Sequence, residues 1–254
     1  MIPIKTAKEI EKMRIAGRAT GEVLQKTAAI IRPGITTKEI DQAAAQFISE
    51  TGGHSAFLGY RGFSGNICVS VNDEVVHGIG SSRKIQYGDI VKLDIGVIKG
   101  GWVGDTATSV PVGAVDPAVQ KLLQVSEEAL RRAIAFAVDG GRLGDIGSAV
   151  EQTVTAHGFS VVREFVGHGV GRKLHEEPQV PNFGHPRTGP RLKAGMTLAI
   201  EPMVNMGVCG VRILEDGWTV VTADGKPSAH FEHTVLITHG EPEILTWPGT
   251  TQSK

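Results

Sequence analysis

Apolar positions near the start of the chain recur at helical spacing. Thr6 followed by Glu9 is a capping-box pattern, and the segment from there to about Ile31 reads as an amphipathic helix closed by Pro33-Gly34. Thr36 and Glu39 repeat the pattern and open a second predicted helix, which Gly52-Gly53 closes. A glycine-rich stretch, Gly59 to Gly65, precedes a short predicted strand at Ile67–Val71. Two apolar runs, Ile90–Ile98 and Trp102–Val110, flank Lys99-Gly100-Gly101, which is a hairpin signal. Asp116-Pro117 supplies an N-cap and a proline at the first helical position for a helix to about Val138. Another helix is predicted over roughly Asp145 to His157, with Gly158 as its closing glycine. From Ser160 onward the pattern is mainly β, with strands expected near Thr197–Val204, Val211–Leu214, Trp218–Thr222 and Glu232–Thr238.

The order is therefore helix, helix, hairpin, then helix, helix, hairpins. Shifting residues 34–52 by 106 positions aligns Gly34 with Gly140, Ile40 with Ile146, Ala43 with Ala149, Gln46 with Gln152 and Gly52 with Gly158. The expectation is two similar halves, each a helix pair plus antiparallel strands, packed as one α+β domain over residues 1–254.

Composition narrows the function classes. The chain has 254 residues, with 26 Lys plus Arg against 27 Asp plus Glu, so no global basic excess points to nucleic acid or an anionic membrane surface. No apolar run is long enough to span a bilayer. The N-terminus, MIPIKTAKEIEKMR, is unlike a secretory signal. Cys68 and Cys209 could form at most one disulfide, and the absence of a signal favours a reducing cytoplasm. Glycine, at 33 residues, is about 13% of the chain against ~7% on average, which suggests many turns and close backbone approaches.

Candidate chemistry begins with two aspartates. A two-residue turn at Lys99-Gly100 would set Asp94 opposite Asp105, with Cβ atoms roughly 4.5–5.5 Å apart. Around Asp94 the strand is mostly apolar, so a divalent cation between the carboxylates would relieve their repulsion. The alternative is two solvated aspartates on the wet face of a hairpin. His168, in Gly-His-Gly-Val-Gly-Arg, and His175, in Leu-His-Glu-Glu-Pro, offer nitrogen ligands or acid–base groups, or are simply loop histidines. His54, His157, His185, His230, His233 and His239 carry no signal of their own. Glu201 and Glu232 each lie beside or within an apolar strand, where a carboxylate is rare unless paired, metal-bound or on a solvated edge. Together Asp94, Asp105, Glu201 and Glu232 carry four negative charges, which two divalent cations would balance, with neutral His168 completing the set.

At these residues the sequence resembles the type I methionine aminopeptidases, metallopeptidases of the M24 family with a pita-bread (creatinase/aminopeptidase) fold. The resemblance runs from about Ile4 to Leu245. It is strongest at Val71 to Gly78, at Asp94 through Thr106, at Gly167 to Asn182, at Glu201-Pro202-Met203 and at Glu215 to Thr219. It implies an α+β fold with an antiparallel sheet, helices on its outer face and pseudo-two-fold halves. It implies metal ligands Asp94, Asp105, His168, Glu201 and Glu232, with Asp105 and Glu232 shared by two divalent ions (Co, Mn, Fe or Zn). His77 and His175 would contact substrate and the developing tetrahedral intermediate. Tyr60, Phe63, Cys68, Leu174 and Trp218 would form the pocket, with Phe57 at its rim. Leu174 stands where the family usually has an aromatic residue, Arg61 where relatives often have histidine, and Gly96 where a hydroxyl residue is common.

The activity implied is removal of the initiator methionine from nascent proteins and peptides, with a small second residue preferred. In this reading a metal-activated water attacks the scissile carbonyl, Glu201 acts as general base and then acid, His175 stabilises the oxyanion and His77 holds the peptide backbone. The slot would favour an unbranched thioether over charged and β-branched side chains. The expected protein is a cytoplasmic monomer with no membrane contact and no nucleic-acid specificity. Ribosome association suits a co-translational enzyme, although no charged patch in the sequence marks it.

Overall fold

A computed structural model describes residues 2–247. Helices α1, Ala7–Ala29, and α2, Thr37–Glu50, start where the capping boxes place them. The backbone amides of Thr6 and Thr36 donate to Glu9 Oε2 at 3.0 Å and Glu39 Oε2 at 2.8 Å, satisfying donors that a helix start would otherwise strand. Helix α3, Pro117–Ala135, is capped by Asp116, whose Oδ1 accepts from Ala118 N at 2.7 Å. Helix α4 spans Leu143–Thr155 and begins before Asp145. Asp145 reaches back to the amide of Arg142 at 2.9 Å, so it acts inside the first turn rather than as the cap.

The strands in chain order are β1 His54–Ser55, β2 Cys68–Val71, β3 Glu74–Val76, β4 Ile90–Lys99 and β5 Trp102–Pro111. The second half contributes β6 Ser160–Val161, β7 Gly167–Gly169, β8 Glu176–Val180, β9 Thr197–Ile200 and β10 Met203–Asn205. It ends with β11 Val211–Ile213, β12 Val220–Thr222, β13 Ser228–His230, β14 Glu232–Leu236 and β15 Glu243–Ile244. A nine-stranded sheet runs β1-β4-β5-β14-β9-β7-β8, with β2 also on β4 and β15 also on β14. Two three-stranded sheets, β13-β10-β6 and β11-β12-β3, flank it. The strand expected across Thr197–Val204 is two strands. It breaks at Glu201-Pro202, and β10 turns away from β9 into another sheet.

The repeat seen in the sequence is structural. Thr36 and Glu39 correspond to Arg142 and Asp145 at the starts of α2 and α4. Each of those cap residues also makes an isolated antiparallel bridge to a later segment, Thr36 with Lys84 and Arg142 with Arg191. Helices α1 and α2 cover the first half, where Val91, Leu93, Ile95 and Val97 of β4 pack with Val23, Ile40 and Ile48. Helices α3 and α4 cover the second, where Leu122, Ala129, Ile146 and Val150 pack with Leu198, Ile200 and Val235. This is the expected pita-bread arrangement, α+β with helices outside an antiparallel sheet.

The hairpin register differs from the sequence expectation. The turn is Gly100-Gly101, with φ of 60° and 78°, and Lys99 pairs with Trp102. A tight two-residue hairpin turn wants positive φ at both central residues, which two glycines adopt and Lys99 would resist. Asp94 therefore pairs with Ala107, and Asp105 with Gly96. The aspartates are diagonal rather than opposed. The slip is an even number of residues, so both stay on one face.

The glycine-rich segment before β2 is fastened by a residue that sequence patterning did not single out. Asp41 on α2 is nearly buried and accepts hydrogen bonds from Asn66 N at 2.7 Å, Ile67 N at 3.1 Å and Asn66 Nδ2 at 2.8 Å. Asp41→Ala would leave those amides without their acceptor. It is expected to lower unfolding stability by about 2–4 kcal/mol in urea titration, from the cost of stranded buried donors. Unchanged stability would show that the segment is held by other contacts.

Candidate metal centre and active site

Sheet register converges the sequence candidates. Ala107 pairs with Asp94 on one side and Glu232 on the other, so Asp94, Ala107 and Glu232 form one rung across β4, β5 and β14. Two residues along, Thr234 donates to Asp105 O at 2.7 Å and accepts from Asp105 N at 3.0 Å. Thr234 also pairs with Ala199, and Ala199 with His168, which makes a second rung. Alternation of side chains every two residues then puts all of these on the same face. Glu201 follows the last residue of β9, two past Ala199, and shares that face.

The resulting distances are short. His168 Nε2 lies 3.7 Å from Asp105 Oδ2 and 3.6 Å from Glu201 Oε1. One ligand atom from each of Asp105, His168 and Glu232 falls within 4.8 Å of the others. Asp94 and Glu201 line the same cavity of about 360 Å³. His168 Nδ1 sits 2.9 Å from the carbonyl of Gly169. A carbonyl cannot donate, so Nδ1 carries the proton and Nε2 presents a lone pair to the carboxylates, the form a metal ligand needs.

The site is frustrated without a cation. Asp105 Oδ1 and Glu232 Oε1 are buried with no hydrogen-bond partner. Burial pushes the Asp94 carboxyl up to about 7 and that of Glu201 up to about 8. Asp105 and Glu232 are also raised well above the usual carboxylate range, first by burial and then by the neighbouring carboxylates. Burial drives His168 down to about 3, which keeps it neutral. Unpaired acceptors, mutually raised acids and a lone-pair imidazole fit divalent cations with oxygen-rich ligation.

The cavity wall contains every pocket residue the sequence resemblance named: Tyr60, Phe63, Cys68, Leu174 and Trp218, together with Phe57, His77 and His175. Phe63 and Trp218 meet edge to face at 5.1 Å between ring centroids. Cys68 pairs with Asp94 across β2 and β4, and burial beside that aspartate pushes its thiol up, so it is an inert neutral wall. Cys68 and Cys209 are both free, so no disulfide joins them. Gly96 has a packing reason, because an added Cβ would lie 2.6 Å from the Phe57 ring. His77 is held in the left-handed region at φ 61°, and burial pulls its pKa down to about 4. His175 Nδ1 and the Tyr60 hydroxyl share a hydrogen bond at 2.7 Å, and the histidine's pKa is lowered by burial and by Arg61.

Sequence reasoning passed over three residues here. Phe165 lines the cavity and packs edge-on against His77 at 5.5 Å. Asp41 holds the wall segment from behind. His230 is buried with Nε2 3.5 Å from Glu201 Oε2. It stands two residues before Glu232, but on β13 rather than β14 and in a different sheet, so strand alternation could not assign it to the site.

Comparison with known proteins agrees with this geometry. A model of metallopeptidase family M24 matches residues 11–239. The chain is 52% identical over 246 residues to methionine aminopeptidase 1 of Bacillus subtilis, covering 97% of this chain and 99% of that one. The methionine aminopeptidase of Clostridium perfringens is 51% identical with the same coverage. The chain belongs to the methionine aminopeptidase family. The crystal structure of the Thermotoga maritima methionine aminopeptidase superposes with a TM-score of 0.95 at 47% identity, covering 97% of this chain and 99% of that chain. As a family member the chain is a metallopeptidase, a hydrolase of the pita-bread fold. Among the described residues no helix is long and apolar enough to cross a membrane.

The raised acids dictate a pH dependence. In the metal-free protein each raised carboxyl favours the fold below the ordinary carboxylate range. That contribution fades as pH climbs through about 7 for Asp94 and about 8 for Glu201. A cation must displace those protons. Calorimetry with Mn2+ at pH 7, in buffers of different ionisation enthalpy, is expected to show net proton release and tighter binding from pH 6 to pH 8. Binding with no proton release and no pH dependence would contradict the buried acid cluster.

Proposed function

We propose that the whole chain acts as one catalytic unit that removes the N-terminal methionine from nascent proteins and peptides, preferring a small second residue. The observation that carries this reading is the juxtaposition of the acid–imidazole cluster with a mostly apolar slot in one cavity. In this reading Asp94, Asp105, His168, Glu201 and Glu232 hold two divalent ions drawn from Co, Mn, Fe and Zn. Bound there, the ions would supply the acidity that makes a water nucleophilic near neutral pH.

The chain's own groups have distinct tasks. Glu201 takes the water's proton and later returns one to the leaving amine. Its carboxylate is buried and lines the cavity where that exchange would occur. His175, oriented by Tyr60, donates toward the oxyanion as it forms. His77 is neutral and fixed by its backbone, so it offers a hydrogen bond to the peptide rather than a charge. Tyr60, Phe63, Cys68, Leu174 and Trp218 receive the thioether, with Phe57 at the rim. A slot of this kind discriminates one methylene by only about 1–3 kcal/mol, so linear analogues of methionine will also be cleaved. The reading includes a cytoplasmic, monomeric enzyme that meets nascent chains at the ribosome, with no membrane or nucleic-acid role.

Release of methionine from Met-Ala-Ser and from Met-Lys peptides, with each of the four metals supplied in turn, tests the activity. Cleavage of the first peptide and poor cleavage of the second are expected. Failure with every metal would refute the reading. Glu201→Gln should reduce kcat by about 10²- to 10⁴-fold, the range for loss of a positioned general base, while the protein stays folded by circular dichroism. Turnover within threefold of wild type would remove Glu201 from proton transfer.

A further inference from the structure

Glu201 lies between two imidazole nitrogens. His168 Nε2 is 3.6 Å from Oε1, and His230 Nε2 is 3.5 Å from Oε2. The two cannot play the same part. His168 spends its one proton on the carbonyl of Gly169, so its Nε2 has nothing to donate. His230 Nε2 is buried and has no hydrogen-bond partner closer than this carboxylate. Among the described residues no side chain or amide makes a hydrogen bond to either carboxylate oxygen of Glu201, whose backbone carbonyl alone is held, by Asn182 Nδ2 at 2.9 Å.

The surroundings of His230 are built to hold it still. Its amide donates to Ser109 Oγ at 2.9 Å, and the same hydroxyl donates back to its carbonyl at 2.8 Å. In β13 it pairs with Met203, two residues beyond Glu201 on the strand that departs after Pro202. The pairing thus ties the backbone of His230 to the segment that carries the carboxylate. A buried imidazole N–H left unpaired is unfavourable, and a carboxylate oxygen at this separation needs to close by only a few tenths of an ångström to accept it.

We propose that His230 is a positioning residue for Glu201, donating from Nε2–H to Oε2 from beneath the cavity and holding the carboxylate in the orientation proton transfer requires. The proposal rests on the reading of Glu201 as the general base. His168 presents a lone pair to the acid cluster, and His230 steadies the base. This assigns a task to a histidine that sequence analysis left without one.

The test compares His230→Leu, which fills similar space without a donor, with His230→Gln, which keeps an N–H. With Met-Ala-Ser, the leucine variant is expected to lose about tenfold or more in kcat with KM within threefold, and the glutamine variant to recover most of that loss. Mn2+ calorimetry should show about tenfold weaker binding in the leucine variant and near wild-type binding in the glutamine variant. A leucine variant with wild-type kcat and Mn2+ affinity overturns the proposal, as does a glutamine variant that falls equally far. Histidine 15N–1H correlation spectra of the Zn-loaded wild type give an answer even if the leucine variant does not fold. The His230 signal, assigned with the glutamine variant, must report the Nε2–H tautomer, and the Nδ1–H tautomer would overturn the proposal. Wild-type turnover of Met-Ala-Ser decides the parent reading separately, because the tautomer and Mn2+ affinity are read without it.

Discussion

Four carboxylates buried on one face of a sheet are the constraint around which this molecule is organised. An ionised carboxylate in a low-dielectric interior is strongly unfavourable unless paired, and here each has others as near neighbours. Protonation can relieve the strain at low pH. Divalent cations held there would relieve it at neutral pH and would join strands from both halves of the chain. The unpartnered oxygens of Asp105 and Glu232 mark where that link belongs. Metal binding and the integrity of the sheet centre are thus one energetic problem.

The apolar slot is built mostly from loops beside these strands: Phe57, Phe63, Leu174 and Trp218 lie outside them, and Cys68 sits on β2. Cys68 and Asp94 are direct cross-strand partners, so a neutral wall and an acid ligand meet across a single ladder pair. Gly96 follows the same logic. Its missing side chain lets the Phe57 ring lie against β4 beside Asp105's position in the ladder. The histidines complete the division. Burial holds His77, His168 and His230 neutral, so each can offer an N–H or a lone pair rather than a charge.

The two-half architecture explains why the site lies where it does. Each half presents a helix pair outward and strands inward, with its own apolar core. The candidate ligands come from the first half's hairpin and from the second half's β7, β14 and the residue that follows β9. The halves are alike in their helices and unlike in their strands. Equivalent helix starts at Thr36 and Arg142 frame a centre to which each half contributes different residues.

Much of this was legible in the residue order. Helix starts follow from local chemistry: at Thr6 and Thr36 a glutamate three residues past the cap reaches back to a stranded amide, and Asp116 caps its helix with its own carboxylate. The ligand types were legible as well, because an acid set in an apolar strand needs a counter-charge, and the motifs around these acids resemble a known family. Register was not. Whether Asp94 faces Asp105 or Ala107 depends on which residues accept positive φ at the turn, and only the folded hairpin settled it in favour of Gly100-Gly101. The break at Glu201-Pro202, the fastening of the pocket wall by Asp41 and the approach of His230 to Glu201 are contacts between segments far apart in sequence. Local pattern records which side chains a strand offers to a face. Which partners meet them there is set by how the strands pair and how the sheets pack, and no short window of sequence contains that information.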